Sequence, residues 1–287
     1  MAEREAGPAP WRWLPVLASR LLFPALMAGP VALALGGLRR GLPTPIALGG
    51  TIALAVALQL LLERVLPYRR EWNSRALLQG DLLWLGLALL TSRMVDAGLP
   101  AALGGLAARE GGALWPSSWP LGLQAILAIL IADLGHYWAH RALHAFPRLW
   151  AFHQVHHGPD HLYAFNFFRM HPVDIILKTT CNLAPLILLG AGPEVIAIWS
   201  VISGVSAGTL NHANIALDTR WLDGWLSTPA LHRWHHSRDL REGNTNFGNV
   251  TMLYDRLFGT YLRPAEREVI DVGVAGAPVT VRAGLWP

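Results

Sequence analysis

Ala113-Leu-Trp-Pro-Ser-Ser-Trp-Pro-Leu-Gly-Leu-Gln-Ala-Ile-Leu-Ala-Ile-Leu-Ile-Ala132 carries no charge, and Asp133-Leu-Gly-His136-Tyr-Trp-Ala-His140 follows it directly. An apolar run of this length, at 1.5 Å of rise per helical residue, crosses roughly 30 Å of hydrocarbon. It delivers the first histidines of the chain to the end of the crossing. Two further charge-free runs, 21–38 and 43–62, have the same character. A fourth, 82–107, is interrupted by Arg93 and Asp96, which a helix places on one face where they can pair. The chain is 53% hydrophobic and 15% charged, with mean hydropathy +0.34. A soluble domain carries about a quarter charged residues, so composition points to the membrane. The reading is an all-α chain with a multi-pass transmembrane helical anchor (1–112), a histidine-bearing region (113–270) and a C-terminal tail (271–287).

The N-terminus does not read as a signal peptide, since Glu3, Arg4 and Glu5 precede any apolar region and no small-residue cleavage site follows. Cys181 is the single cysteine, which rules out an internal disulfide, and it reads as a small buried hydrophobe. The net charge of +4 comes almost wholly from arginines at the ends of apolar runs. That fits a membrane surface and not a nucleic acid partner. Trp11, Trp13, Trp72, Trp115 and Trp119 lie beside or between apolar runs, as interfacial anchors do.

A further apolar stretch, about 175–210, is broken by Gly190-Ala-Gly-Pro-Glu194, which reads as a turn between two helices of about 15–17 residues. A membrane hairpin satisfies parity, because histidines before and after it can build one site only if the segment between them returns to the same side. With the histidines inside, Arg4, Arg12, Arg20, Arg64, Arg69, Arg70 and Arg75 are cytoplasmic and Arg39, Arg40 and Arg109 external. That bias favours a cytoplasmic histidine site.

All twelve histidines lie between His136 and His236. Three clusters stand out: His136 and His140; His153, His156 and His157; His232, His235 and His236. Positions i, i+3 and i+4 share a helix face, so each cluster can aim two or three imidazoles at one point. A lone histidine near an apolar span is usually a hydrogen-bonded structural residue. At this histidine frequency a given five-residue window matches His-x-x-His-His about once in ten thousand, and the pattern occurs twice here. Neutral imidazole is the commonest ligand of iron, copper, nickel and zinc, and eight are too many for one ion and about right for two. His212 is a candidate ninth ligand. His144, four residues after His140, and His171, before Pro172, are candidates for supporting roles. His161 reads as an ordinary loop residue. Asp133, Asn211, Asn214, Asn244 and Asn246 are candidates to receive the second N–H of a ligating ring.

These clusters sit in a longer pattern. Asp133-Leu-Gly-His-Tyr-Trp-Ala-His-Arg-Ala-Leu-His144, Leu149-Trp-Ala-Phe-His-Gln-Val-His-His157, Arg169-Met-His-Pro172, Asn211-His-Ala-Asn214, Thr228-Pro-Ala-Leu-His-Arg-Trp-His-His-Ser237, Asn246-Phe-Gly248 and Asp255-Arg-Leu-Phe-Gly-Thr-Tyr261 resemble the fatty acid hydroxylase / sterol desaturase superfamily over roughly residues 125–265. The resemblance implies a transmembrane helical anchor carrying a cytosolic histidine-rich helical cap, with 113–270 as the fatty acid hydroxylase-like catalytic domain, a non-haem centre of two iron ions (Fe2+), dioxygen as co-substrate and a lipid substrate. It also implies electrons from a separate reductase or small electron carrier. Some fatty acid hydroxylases of this group carry a His-x-x-x-His pair before the last cluster; here Ala216 stands four residues after His212.

The rival reading is a non-redox metal-binding membrane protein, such as a zinc or copper transporter. Transporters place ligands near the bilayer midplane. These histidines instead follow a span and flank polar linkers such as 237–246. A haem protein needs one or two axial ligands, not eight.

Overall fold

The protein is described here by a computed structural model covering residues 16–73, 80–109, 114–264, 267–269 and 271–274. The readings attached to Arg4, Trp11, Arg12, Trp13 and Arg75, and to most of the 271–287 tail, lie outside the described residues. Helix α1 (Val16–Arg39) contains the run 21–38, and α2 (Thr44–Val65) matches 43–62. A single turn, α3 (Arg70–Asn73), precedes α4 (Asp81–Arg109), which carries both Arg93 and Asp96.

The next helix departs from the sequence expectation. Helix α5 runs Leu121–Ala145, starting later than Ala113 and continuing well past Ala132. Pro116 and Pro120 explain the start, since a proline disfavours helical geometry in the residue before it. The Trp115–Trp119 segment instead folds back on the first turn: Trp115 donates to Gln124 Oε1, and Gln124 Nε2 donates to the Ser117 and Trp119 carbonyls. Asp133 does not end the helix because its buried Oδ2 accepts from the amides of Val250 (3.2 Å) and Thr251 (2.6 Å). His136, His140 and His144 therefore all lie inside one helix. Phe146, extended at φ −101°, is both the end of α5 and the cap of α6 (Pro147–His157).

The expected hairpin is present, with arms of 18 and 20 residues, longer than expected. Helix α7 (Pro172–Leu189) ends on Gly190 at φ +83°, the left-handed stop that glycine supplies. Helix α8 (Pro193–Val201) passes through a π-helical segment (Ile202–Thr209) into the short α9 (Leu210–His212). Among the described residues, six helices are long and apolar enough to cross a membrane: Leu17–Arg39, Thr44–Val65, Asp81–Gly105, Leu121–Ala145 and the two hairpin arms. The second arm is 59% buried against 17–28% for the others, so it is the central element. Helix α7 packs between α4 and α5, and α1 packs on α2 and the π segment. Leu54, Leu61, Leu90, Met94 and Ile126 remain exposed on the outside, as a lipid-facing surface requires.

Buried polar contacts tie the bundle to the segments after it. Glu63 on α2 accepts from the amides of Ala164 and Asn214 through one carboxylate oxygen. Asp81 takes Arg169 at 2.9 Å and the Tyr163 hydroxyl at 2.6 Å. The polar end is completed by α10 (Pro229–His235), α11 (Leu240–Gly243) and α12 (Leu253–Leu257). Among the described residues there is no strand, only three isolated bridges.

Helices α5 and α7 touch backbone to backbone at Gly135: a Cβ there would lie 2.0 Å from the carbonyl oxygen of Cys181, itself only partly buried. Alanine at Gly135 has to push α7 away, and such overpacking costs about 1–3 kcal/mol. Gly86 on α4 has open space around it. Gly135→Ala is expected to lower the melting temperature in detergent, whereas Gly86→Ala leaves it unchanged or raises it slightly. Equal melting temperatures for the two variants would contradict the close crossing.

Candidate metal centre

Nine histidines converge in two groups. His140 and His144 from α5, His153 and His157 from α6, and His235 from α10 form the first. His156 from α6, His212 from α9, His232 from α10 and His236 just after it form the second. Within each group one nitrogen per ring lies within 4.8 Å of all the others. The i, i+3, i+4 clusters are each divided between the two groups. On α6, His153 and His157 face one group and His156 the other, and α10 divides His235 from His232 and His236 in the same way. The two short helices thereby hold the two groups side by side.

The inward atoms are Nε2. Those of His140 and His153 are 3.0 Å apart, and those of His153 and His157 3.2 Å. In the second group His156–His212 and His212–His232 are 3.0 Å apart, and His232–His236 3.1 Å. Several of these contacts cannot be ordinary hydrogen bonds, because the proton of the neutral ring is held elsewhere. The Nδ1 of His140 donates to the Phe247 carbonyl (3.0 Å), that of His153 to Asp174 (2.6 Å), that of His212 to the Gly208 carbonyl (2.7 Å), and that of His235 to the Thr245 carbonyl (2.8 Å). Each Nε2 in those rings is then a bare lone pair aimed at other lone pairs. The Nε2 atoms of His144 and His235 are buried without any partner. A cation is the species that fits between such atoms, and the all-nitrogen donor set suits a first-row transition metal. Burial, followed by the neighbouring imidazoles, holds the pKa of His156, His157, His232, His235 and His236 well below the ordinary imidazole value. They are neutral when folded, as ligands must be.

One loop supplies most of the outer contacts of the first group. Asn244 Oδ1 accepts from His144, the Thr245 carbonyl from His235 and the Phe247 carbonyl from His140. The loop is pinned by Asp255, which accepts from the amides of Phe247 and Gly248, and by Asp133 at Val250 and Thr251. Asp133 therefore reaches the rings through this loop and touches none of them. Asn246, at φ +54°, holds the Leu231 and Leu262 backbone. Asn214 bridges Arg69 and Asn73. Asn211 donates to Ser227 and to the Asn249 carbonyl, its Oδ1 buried without a partner.

His136 joins neither group. It lines a small cavity beside both, with Lys178, Asn211, Phe167 and Met170. His171 caps α7, accepting from the Val173 amide. His161 is buried in its loop, 2.9 Å from Asp160 and stacked on Tyr163. Sequence reasoning missed Asp174 and Lys178. Asp174 bridges the His153 ring and the Lys178 ammonium, at 2.6 and 2.8 Å. Their i, i+4 spacing inside an apolar helix was the available signal, since charges at membrane depth need a reason.

Metal retention tests the arrangement. In iron-loaded protein titrated with a chelator, Asp174→Asn is expected to weaken binding about 10–100-fold, and His161→Ala to leave it unchanged. Acid acts in the same direction. The depressed rings stay unprotonated when folded, while the unfolded chain takes up protons near pH 6.5. Stability is therefore complete above about 6.5 and drains away as pH falls from there toward the depressed values. Metal loss from wild type is expected to begin in that window. Equal chelator resistance in Asp174→Asn and wild type would refute the bridging role.

Comparison with known proteins bears on this geometry. The family model for fatty acid hydroxylases matches residues 125–260, the stretch from α5 through α12 that builds both groups. An ornithine lipid hydroxylase of Rhizobium tropici is 38% identical over 235 residues, covering 77% of this chain and 69% of that protein. Alkylglycerol monooxygenases of Danio rerio and Homo sapiens are 30% and 29% identical over about half of this chain, and the chain spans about a third of their length. No solved structure matches significantly. The histidine pattern, the six apolar helices and these similarities agree: the chain belongs to the fatty acid hydroxylase family.

Proposed function

We propose that this protein is a di-iron oxygenase that hydroxylates a C–H bond of a membrane lipid. The observation that carries the reading is the pair of adjoining, purely imidazole groups, His140, His144, His153, His157 and His235 beside His156, His212, His232 and His236, at the polar end of a helical bundle. Each group would hold one iron ion through Nε2. Bound iron would supply the dioxygen binding and one-electron chemistry that side chains lack. The protein's own contribution is to fix from outside the tautomers of His140, His144, His153, His212 and His235, to exclude water by burial, and to leave a cavity beside both groups for the reacting part of the substrate. Placing one oxygen atom of dioxygen in the lipid and the other in water consumes two electrons and two protons. These electrons come from a separate reductase or small carrier.

Hydroxylation is favoured over desaturation because the relatives are a hydroxylase and monooxygenases. The R. tropici relative makes an ornithine-type aminolipid the first substrate to try. The centre lies where α5, α6, α9 and α10 meet and draws no ligand from the apolar middle of a span, which favours an enzyme over a zinc or copper transporter. Expression in bacteria that make ornithine lipid is expected to yield a lipid heavier by one oxygen, absent with His140→Ala. A lipid profile unchanged by the active protein, with iron bound, would reject this substrate class, and desaturated lipid in place of hydroxylated lipid would reject the reaction type.

The histidine side is cytoplasmic in this proposal, supported by the arginines after α2. A reporter fused after Pro287 is then active only inside the cell. External activity would invert the topology.

A further inference from the structure

Behind α10, on the side away from the imidazole groups, lies a second pocket. Its floor is Arg233, which is 8% exposed and follows His232 directly. The guanidinium stacks on the Tyr68 ring, 3.7 Å from its centre. The neighbouring carboxylates are committed elsewhere. Asp223 holds Arg263 at 2.7 Å, Glu242 holds Arg267 at 2.6 Å, and Glu268 takes the Tyr68 hydroxyl. Among the described residues, none of them pairs with Arg233 and no carbonyl accepts from it. A buried guanidinium with five donors and no acceptor is costly, and stacking on an aromatic face offsets only part of that cost. The pocket that Arg233 lines is rimmed by two more guanidiniums, Arg263 and Arg267, and by the Glu268 carboxylate that the Tyr68 hydroxyl engages. Several forks around one opening match a group with several acceptor oxygens better than a single carboxylate. Tyr68 lies three residues beyond the end of α2, a helix long and apolar enough to cross a membrane.

We propose that the Arg233 pocket is a binding site for a phosphate group, separate from the metal centre and seated on the reverse of the helix that carries His232 and His235. The group comes either from a lipid headgroup or from a free phosphate in the aqueous phase. Both present the same oxygens to Arg233.

The test is a thermal-shift titration of the full-length, iron-loaded protein in detergent. The probes are inorganic phosphate and, separately, short-chain phosphatidylglycerol below its micellar concentration, with chloride matching ionic strength. Wild type is expected to show a saturable rise in melting temperature with at least one probe, and Arg233→Met to weaken the apparent affinity by at least ~10-fold. A response to inorganic phosphate marks an aqueous anion site, and a response to phosphatidylglycerol alone marks a headgroup site. If Arg233→Met does not fold, Arg267→Gln replaces it, with a weakening of at least ~3-fold expected for the loss of one rim charge. No shift in wild type with either probe overturns the proposal, as does a shift of undiminished affinity in the variant that folds.

Discussion

The structure depends on lone pairs brought face to face. His140 and His153 aim bare Nε2 atoms at each other across 3.0 Å because both rings give their single proton to an acceptor on the outside. Such an arrangement is repulsive by itself and is tolerated only if the surrounding fold insists on it or a cation resolves it. Here the fold does insist: α5, α6, α9 and α10 are each fixed by contacts that have nothing to do with the centre. Phe146 sets the angle between α5 and α6, the π segment delivers His212, and the Thr228 side chain caps α10.

The membrane part has a matching logic. The outer helices show apolar side chains to lipid and are loosely enclosed, while the second hairpin arm runs through the middle and ends in His212. Its π-helical stretch accounts for the approach. Gly208 packs so closely on the Phe167 ring that a Cβ would lie 2.5 Å from it, and its carbonyl receives the His212 Nδ1. A side chain at this position would have to displace the Phe167 ring.

Much of this was legible in the sequence, for reasons that also show where legibility stops. Apolar length and absence of charge located the spans, because hydrocarbon thickness is a one-dimensional constraint. That criterion placed α5 too early, since it could not see that Pro116 and Pro120 exclude 114–120 from the helix or that Asp133 has two amides waiting on a distant loop. His136, His140 and His144 form two equivalent i, i+4 pairs, and helical spacing gives no reason to choose between them. The sequence reading placed His136 among the ligands and His144 in a supporting role, whereas the geometry puts His144 in the first group and leaves His136 beside the cavity. The choice is made by α6 and α10, which are distant in sequence. The outer partners were the least legible. Side chains of Asn and Asp were the natural candidates, but two of the three acceptors that the 244–247 loop provides are backbone carbonyls, which no residue type announces.

That loop works as a ruler. It offers acceptors from residues 244, 245 and 247 to rings on two different helices, and it does so largely through its backbone. Thr245 and Phe247 can change identity and still present the same carbonyls, so tolerance to substitution there says little about importance. A change in length is different. One residue inserted or deleted between Gly243 and Gly248 puts the graduations out of phase with His144, His235 and His140 together. The segment is thus constrained in its count of residues more than in their kind, a form of constraint that residue-by-residue scanning passes over.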